Sequence, residues 1–296
     1  MQTCVIFNPA ARGNKARYFR RHLDEIAAHC ALKATSAPGD ARRLAAEAVA
    51  DGFELIVAAG GDGTVNETLN GLGDVPGGFA RACLGVLPLG TINVFARELK
   101  MPLEVKAAWA VLMRGNERKI DLPWVEFFAG NIREKRYFAQ LAGAGLDARA
   151  IQIVSWSLKK KIGPLAYLMA GLQAMFESKS KLIAQAEGKP VEGELILIGN
   201  GRLYGGNFAI FPKADLASGQ FDVCGVPRMD WWTLCQCAPR LLLSGRLPES
   251  AVQRLQAGKF TLTSSTPAMF ELDGEWVGYL PATFGIEPQG LRVAVP

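Results

Sequence analysis

Leu55–Ala59 is an unbroken apolar run, LIVAA, followed at once by Gly60-Gly61-Asp62-Gly63-Thr64 and then by a stretch with apolar residues at Val65, Leu69 and Leu72. An apolar strand without alternation is what a central parallel strand covered on both faces requires. The spacing after the turn is that of a helix lying on such a sheet. The same succession returns directly: a strand over Leu84–Leu87, the turn Pro88-Leu89-Gly90-Thr91, and a helix over Asn93–Leu99. Upstream, Cys4–Phe7 reads as a strand ending at Asn8-Pro9, Ala16–Ala28 as a helix, and Leu32–Thr35 as a strand. An Ala-rich helix then ends near Asp51-Gly52, with Asp40 placed to serve as its N-cap. Strands alternating with helices predict successive βαβ units and a parallel sheet.

The texture changes after Asp121-Leu122-Pro123. Short strands are predicted at Trp124–Phe128, Arg136–Leu141, Lys181–Ala186, Glu194–Gly199, Phe208–Phe211, Phe221–Val226, Lys259–Thr263, Ala268–Leu272 and Thr283–Ile286. Two helices, Ile162–Phe176 and Asp230–Leu243, interrupt them. The expected division is therefore an α/β domain over 1–122 and a mostly β domain over 123–296, with the last strands free to return to the first domain.

Composition narrows the function classes. The 296 residues are 49% hydrophobic and 21% charged, within the range of folded soluble proteins. No run approaches the roughly 18 apolar residues of a spanning helix, and Met1–Pro9 reads as a strand with no basic leader, so a cytoplasmic protein is expected. Six cysteines lack C-x-x-C spacing, and the only histidines, His22 and His29, lie seven apart in and at the end of the first helix. That pattern argues against a zinc site and against a Ser-His-Asp hydrolase. The net charge of +5 suits anionic substrates or lipid headgroups but is too diffuse to indicate nucleic acid.

A Gly-rich turn between a buried strand and a helix N-terminus is where backbone N–H groups and the helix dipole favour phosphate. Gly60–Thr64 fits neither the P-loop pattern nor the G-x-G-x-x-G fingerprint. Its distinctive residue is Asp62: a carboxylate inside a phosphate-binding turn calls for a cation, which points to Mg²⁺. A tight turn with an Asx cap would need the same residues. The second turn, Pro88–Asn93, follows a neighbouring strand, and in a parallel sheet both turns line one crevice. Asn8-Pro9-Ala10-Ala11-Arg12-Gly13-Asn14-Lys15 would emerge at that edge with an amide and two cations, or as an ordinary solvated loop.

Gly60–Glu67 (GGDGTVNE), the run PLGTINVFAR at 88–97 and Leu272-Asp273-Gly274-Glu275 together resemble the bacterial diacylglycerol kinase and lipid kinase family, kin to the sphingosine kinases. The likeness spans nearly the whole chain. It implies a Rossmann-like nucleotide-binding α/β domain followed by a β-sandwich domain, with ATP and a lipid substrate meeting between them. By the same resemblance, Asn8, Thr35, Gly60, Gly61, Asp62, Gly63, Thr64, Val65, Asn66, Glu67, Gly90 and Thr91 would contact ATP. Glu275 would be the base taking the lipid hydroxyl proton, while Asp273 and Asp62 organise Mg²⁺ and water. Without the resemblance, Asp273-Gly274-Glu275 reads as a β-turn between two strands. GGDGT is shared with NAD kinases, and a non-catalytic nucleotide-binding regulator would use the same first domain.

Two positions depart from the family pattern. Val94 stands where an Asp is common. Ala217-Ser218-Gly219 stands where the family often has Asp-Asp-Gly beside a structural Mg²⁺, so the resemblance leaves Asp215, Ser218 and Gln220 as the oxygen donors of that site. Lipid access points to a membrane surface. Lys159–Lys161 precede an apolar helical stretch through Phe176, and Trp231-Trp232 cannot both face one core. A peripheral membrane contact is expected; edge strands leave a homodimer open.

Overall fold

The computed structural model describes residues 1–9, 14–21, 23–145 and 180–296. The first half runs β1 (Thr3–Phe7), α1 (Asn14–Arg21), α2 (Leu23–Ala27), β2 (Ala31–Ala34), α3 (Asp40–Ala50), β3 (Leu55–Gly60), α4 (Asp62–Gly73), α5 (Gly78–Arg81), β4 (Cys83–Pro88), α6 (Val94–Glu98) and α7 (Val105–Arg114). The second continues with β5 (Glu117–Ala129), β6 (Ile132–Tyr137), β7 (Leu141–Gly145), β8 (Leu182–Gln185), β9 (Val191–Gly193), β10 (Leu195–Gly199) and β11 (Phe221–Val226). It closes with α8 (Trp231–Ser244), β12 (Gln253–Ala257), β13 (Lys259–Ser264), β14 (Met269–Leu272), β15 (Glu275–Tyr279) and β16 (Ala282–Ala294).

The parallel sheet forms as its apolar runs require. β3 and β4 are buried along their whole length, and the parallel order is β2-β1-β3-β4. The chain therefore steps outward from β1 to β2 and then to β3 on the other side, so the β1/β3 crevice is the switch point where ligands bind in such sheets. Val5, Ile6, Ile56, Val57, Leu69 and Leu72 anchor its core.

This sheet does not end at residue 122. β5 runs from Glu117 to Ala129 and pairs along β16, and the far end of β16 pairs parallel with β4 through Val293 and Leu84. The sheet thus continues as β16-β13-β8-β9, with β5 and β6 attached. A second, antiparallel sheet, β12-β11-β10-β7-β14-β15, lies against that extension as a sandwich. Buried phenylalanines from both sheets fill the space between them. Phe260 stacks on Phe284 at 5.2 Å, and Phe138 on Phe221 at 5.9 Å.

Several local expectations change. Ala16–Ala28 divides into α1 and α2. Asp40 is not the N-cap of α3: Gly39 holds that position with φ 88°, and the Asp40 carboxylate accepts instead from Ser36 N at 2.7 Å and Ala37 N at 3.0 Å. Arg136–Leu141 splits between β6 and β7. Phe208–Phe211 is no strand, making only a bridge between Tyr204 and Phe208; Ile210 and Phe211 are apolar because they fill a small satellite core. The cysteines are all free; Cys4, Cys83 and Cys224 are buried and Cys235 is exposed. The predicted helix Ile162–Phe176 and the lysines at 159–161 lie outside the described residues.

Candidate active site

The two Gly-containing turns lie side by side at the C-terminal edge of the parallel sheet. Leu89 N and Gly90 N both donate to Gly60 O, at 2.9 and 3.1 Å. A Cβ on Gly90 would stand 2.6 Å from Gly61 Cα, so the turns touch backbone to backbone and residue 90 has no room for a side chain. Asn93, at φ 54°, closes the second turn by donating from Nδ2 to Gly90 O at 2.7 Å. Asn8 and Thr35 flank the same edge, where Thr35 N donates to Phe7 O at 2.9 Å.

Asp62 is the first residue of α4, and its carboxylate points at the start of α6, accepting from Phe95 N at 3.4 Å. Burial pushes its pKa above the ordinary carboxylate range; the amides of Asn93, Val94 and Phe95 oppose that shift, and the nearby Asp273 charge reinforces it. Asp273 reaches the same place from the second domain, on the turn between β14 and β15 at φ 49°. Its Oδ2 accepts from Ala139 N (2.8 Å) and Asn66 Nδ2 (2.9 Å), its Oδ1 from Gln140 N (2.9 Å) and Leu141 N (3.1 Å). Here too enclosure raises the pKa while those four donors resist. The Asp62 and Asp273 carboxylates line one small cavity of about 20 Å³, room for about one water, with Val94 as part of its apolar wall.

Glu275 lies next to them, over the first turn of α4. Its Oε1 occupies the space that a Cβ on Gly63 would take, so any side chain there would push the Glu275 carboxylate aside. The turn carrying Glu275 is fixed from inside by the fully buried Glu271, whose Oε2 accepts from Gly274 N at 2.6 Å. Three carboxylates and the N-terminus of α4 thus converge beside two phosphate-type turns, a geometry suited to positioning a phosphoryl group and accepting a proton beside it.

The sequence matches two family models: the diacylglycerol kinase catalytic domain over residues 2–125, and the YegS C-terminal NAD kinase beta sandwich-like domain over residues 140–295. The chain belongs to the diacylglycerol kinase family. A Bacillus subtilis relative named diacylglycerol kinase is 30% identical across 99% of this chain and 95% of its own. A Pseudomonas aeruginosa relative named "Probable lipid kinase YegS-like" is 34% identical over 92% and 86%. A crystal structure of a diacylglycerol kinase from Bacillus anthracis superposes on all of this chain and 97% of its own with a TM-score of 0.73 at 20% identity, which supports the fold. Yeast NADH kinase in complex with NADH is more distant, at a TM-score of 0.54 and 11% identity.

Within this family member, the expected nucleotide contacts separate into two groups. Asn8, Thr35, Gly61, Asp62, Gly63, Thr64, Gly90 and Thr91 lie at the crevice edge, while Gly60 is buried at the end of β3 and Val65 is buried with its side turned to the small cavity. Asn66 and Glu67 are engaged within the chain. Asn66 ties α4 to Asp273, and Glu67 caps α3, accepting from Gly39 N at 2.9 Å and Ala41 N at 3.0 Å. The first turn of α4 has no such cap from its own N-cap residue, Gly61. Asn70 was not anticipated: its Nδ2 donates to Tyr137 O at 2.8 Å and its Oδ1 accepts from Tyr137 N at 2.9 Å, holding α4 against β6. Nor was Gln140, whose Nε2 joins Glu98 Oε2 to Leu203 O, each at 3.0 Å. Neither residue sits in a motif; only the approach of the two domains reveals them.

The two metal expectations fare differently on donor chemistry. Asp62 offers a carboxylate to the small cavity and fits a divalent cation there, whereas the Asp273 oxygens on the same cavity already accept four hydrogen bonds and would reach a cation only through its waters. The turn holding Asp215, Ser218 and Gln220 does not. Ser218 Oγ lies 3.0 Å from Asp215 O and 3.1 Å from Gln220 O, so the turn closes through neutral oxygens. The Asp215 carboxylate instead accepts from Ala217 N at 2.9 Å and faces Arg118 at 3.7 Å. Asp121, fully buried, clamps the turn through Gly219 N at 2.6 Å. Among the described residues no three His, Cys, Asp or Glu side chains cluster as a metal site.

Proposed function

We propose that this chain is an ATP-dependent lipid kinase that transfers the γ-phosphate to a hydroxyl of diacylglycerol or a related lipid. The observation that carries this reading is the placement of Glu275 over the first turn of α4, beside the paired Gly60–Thr64 and Pro88–Asn93 turns. Backbone amides of the turns and of α4 hold the phosphates. The lipid hydroxyl attacks the γ-phosphorus and gives its proton to Glu275, while the bond from phosphorus to the bridging oxygen breaks and ADP departs. Asp62 would hold a magnesium ion arriving with the nucleotide, and Asp273 would order its waters; the ion would supply charge neutralisation at the phosphates. Asp273 also locks the second domain onto α4 through Asn66, which keeps Glu275 in register with the turns.

The test is transfer of labelled γ-phosphate from ATP with Mg²⁺ to diacylglycerol, phosphatidylglycerol, sphingosine and NAD, with Asp62→Ala as control. Label in one lipid, lost in the control, supports the reading. Label in NAD moves the chain toward the NAD kinases, and ATP binding without label in any acceptor favours a regulator.

A further inference from the structure

The sequence of α8, WWTLCQCAPRLLLS, has 14 residues, one charge (Arg240) and no acid, yet none of its residues is buried. Its ends are well made. The Asp230 side chain accepts from Thr233 N at 2.9 Å at one end, and Gly245 closes the other at φ 68°. At 100° per residue, Trp231, Trp232, Cys235, Pro239, Leu242 and Leu243 fall within a broad arc of about 120°, with Trp231 toward one edge and Trp232 toward the other. That face is the outward one: Trp231 is 57% exposed, Trp232 73%, Leu242 78% and Leu243 89%. The inward side is only half-buried, with Leu241 leaning on the satellite core around Phe211. A helix covering a water-soluble core presents the opposite arrangement.

Cations border this face. Arg240 stands at its edge, and beside it a groove of about 470 Å³ is lined by Arg240, Leu243, Ser244, Arg246, Leu247 and Arg254, among others. Arg254 is committed, pairing with the buried Asp222 at 3.3 Å and with Glu249 at 3.1 Å. Arg240 and Arg246 make no ion pair among the described residues. The surface also adjoins the crevice. Gly245 packs on Asn207 and Ala209, Asn207 Oδ1 accepts from Arg97 Nη1 at 2.9 Å, and Gly206 faces Ile92 of the second Gly-containing turn.

We infer that α8 is a docking helix for an anionic lipid leaflet, its tryptophan–leucine face entering the headgroup boundary while Arg240 and Arg246 meet lipid phosphates. The inference rests on the lipid-kinase reading for its choice of occupant. Tryptophan and leucine on an outward helical face, with no acid in the helix, two arginines at the rim free of ion pairs and the one groove acid, Glu249, held by Arg254, is the composition of an interfacial helix. A second copy meeting it helix to helix would cover the apolar face, yet α8 carries no acid to pair with the two arginines.

The experiment is sedimentation of the full chain with vesicles of phosphatidylcholine alone or mixed with phosphatidylglycerol. The wild type is compared with Trp232→Ser/Leu243→Ser and with Arg240→Glu/Arg246→Glu. Wild-type binding should require the anionic lipid, and each double variant should lose roughly tenfold or more of it. Phosphorylation of a water-soluble short-chain diacylglycerol should stay at the wild-type rate in both variants, while that of a long-chain acceptor in vesicles falls. Unchanged vesicle binding by both variants overturns the inference. So does a wild-type dimer in lipid-free buffer that either variant dissociates. If the wild type phosphorylates no lipid, the kinase reading fails, while sedimentation still judges the helix on its own.

Discussion

Gly63→Ala separates catalytic geometry from stability, because one methyl group acts on the two in opposite directions. Residue 63 lies in the first turn of α4, with Glu275 Oε1 where the new Cβ must go and Glu275 Cδ 3.4 Å from it. Carbon and oxygen settle at about 3.5 Å, so the carboxylate has to withdraw by on the order of 1 Å. Glu275 is exposed and can swing away without disturbing the core. Alanine is the better helix former by about 0.5–1 kcal/mol, which raises Tm by about 1–4 °C for a chain of this size. Displacement of a catalytic group by about 1 Å can cost ~10²-fold in rate, close to 2.7 kcal/mol of barrier. The assay pairs thermal unfolding with separate measurement of kcat and of ATP affinity. The expected result is a Tm at or above wild type, near-normal ATP affinity and a kcat lowered ~10²-fold. Wild-type kcat in Gly63→Ala would refute the view that Glu275 acts from its place over α4.

Three further outcomes follow from the same contacts. Asp273→Ala strands Asn66 Nδ2 and the amides of Ala139, Gln140 and Leu141, and it puts alanine at φ 49°. Even with the relief of a buried charge it should destabilise by about 3–6 kcal/mol, and a Tm within a degree of wild type would contradict the clamp. Asp62 is raised by burial, so the stability it contributes is present at acid pH, below its unfolded pKa, and is lost as pH rises through the folded one. Asp62→Asn should therefore be more stable than wild type at neutral pH, with the difference shrinking toward acid, while transfer is lost; equal stability at both pH values would count against it. The wild-type Tm should be indifferent to Mg²⁺ or chelator at the Ser218 turn, whereas Ser218→Asp, by adding a carboxylate beside two carbonyl oxygens, should create a Mg²⁺-dependent rise. Chelator sensitivity that persists in Asp62→Asn, or no rise in Ser218→Asp, would show that the turn was misread.

The parallel half of the fold was legible because its cues are local and redundant. An unbroken LIVAA run, a Gly-rich turn and a 3.6-residue period agree with one another, and β3 and α4 formed where they indicated. The β half was less so. Phe208–Phe211 looks like a strand by composition, yet its apolar residues serve a satellite core, and only a partner segment decides whether such a run pairs. β16 extends from Ala282 to Ala294 through Pro288 and Gly290 because the ladder with β5 continues across an irregularity between Glu287 and Leu291. At the site, the turns and the Asp-Gly-Glu sequence could be named from motifs. What Asn66, Glu67 and Asn70 do could not, since each is spent on a partner 26 to 207 positions away in the chain. The outward apolar face of α8 was only partly visible: two adjacent tryptophans cannot share a core, but exposure of the whole face depends on how little packs against it.

The most direct measurement is transfer of labelled γ-phosphate to the lipid acceptor by Glu275→Gln beside the wild type, with ATP affinity determined in parallel. ATP affinity should stay close to wild type and transfer should fall by about 10²–10⁴-fold, because the amide cannot take the hydroxyl proton. Transfer at the wild-type rate would contradict the role of Glu275 as the base.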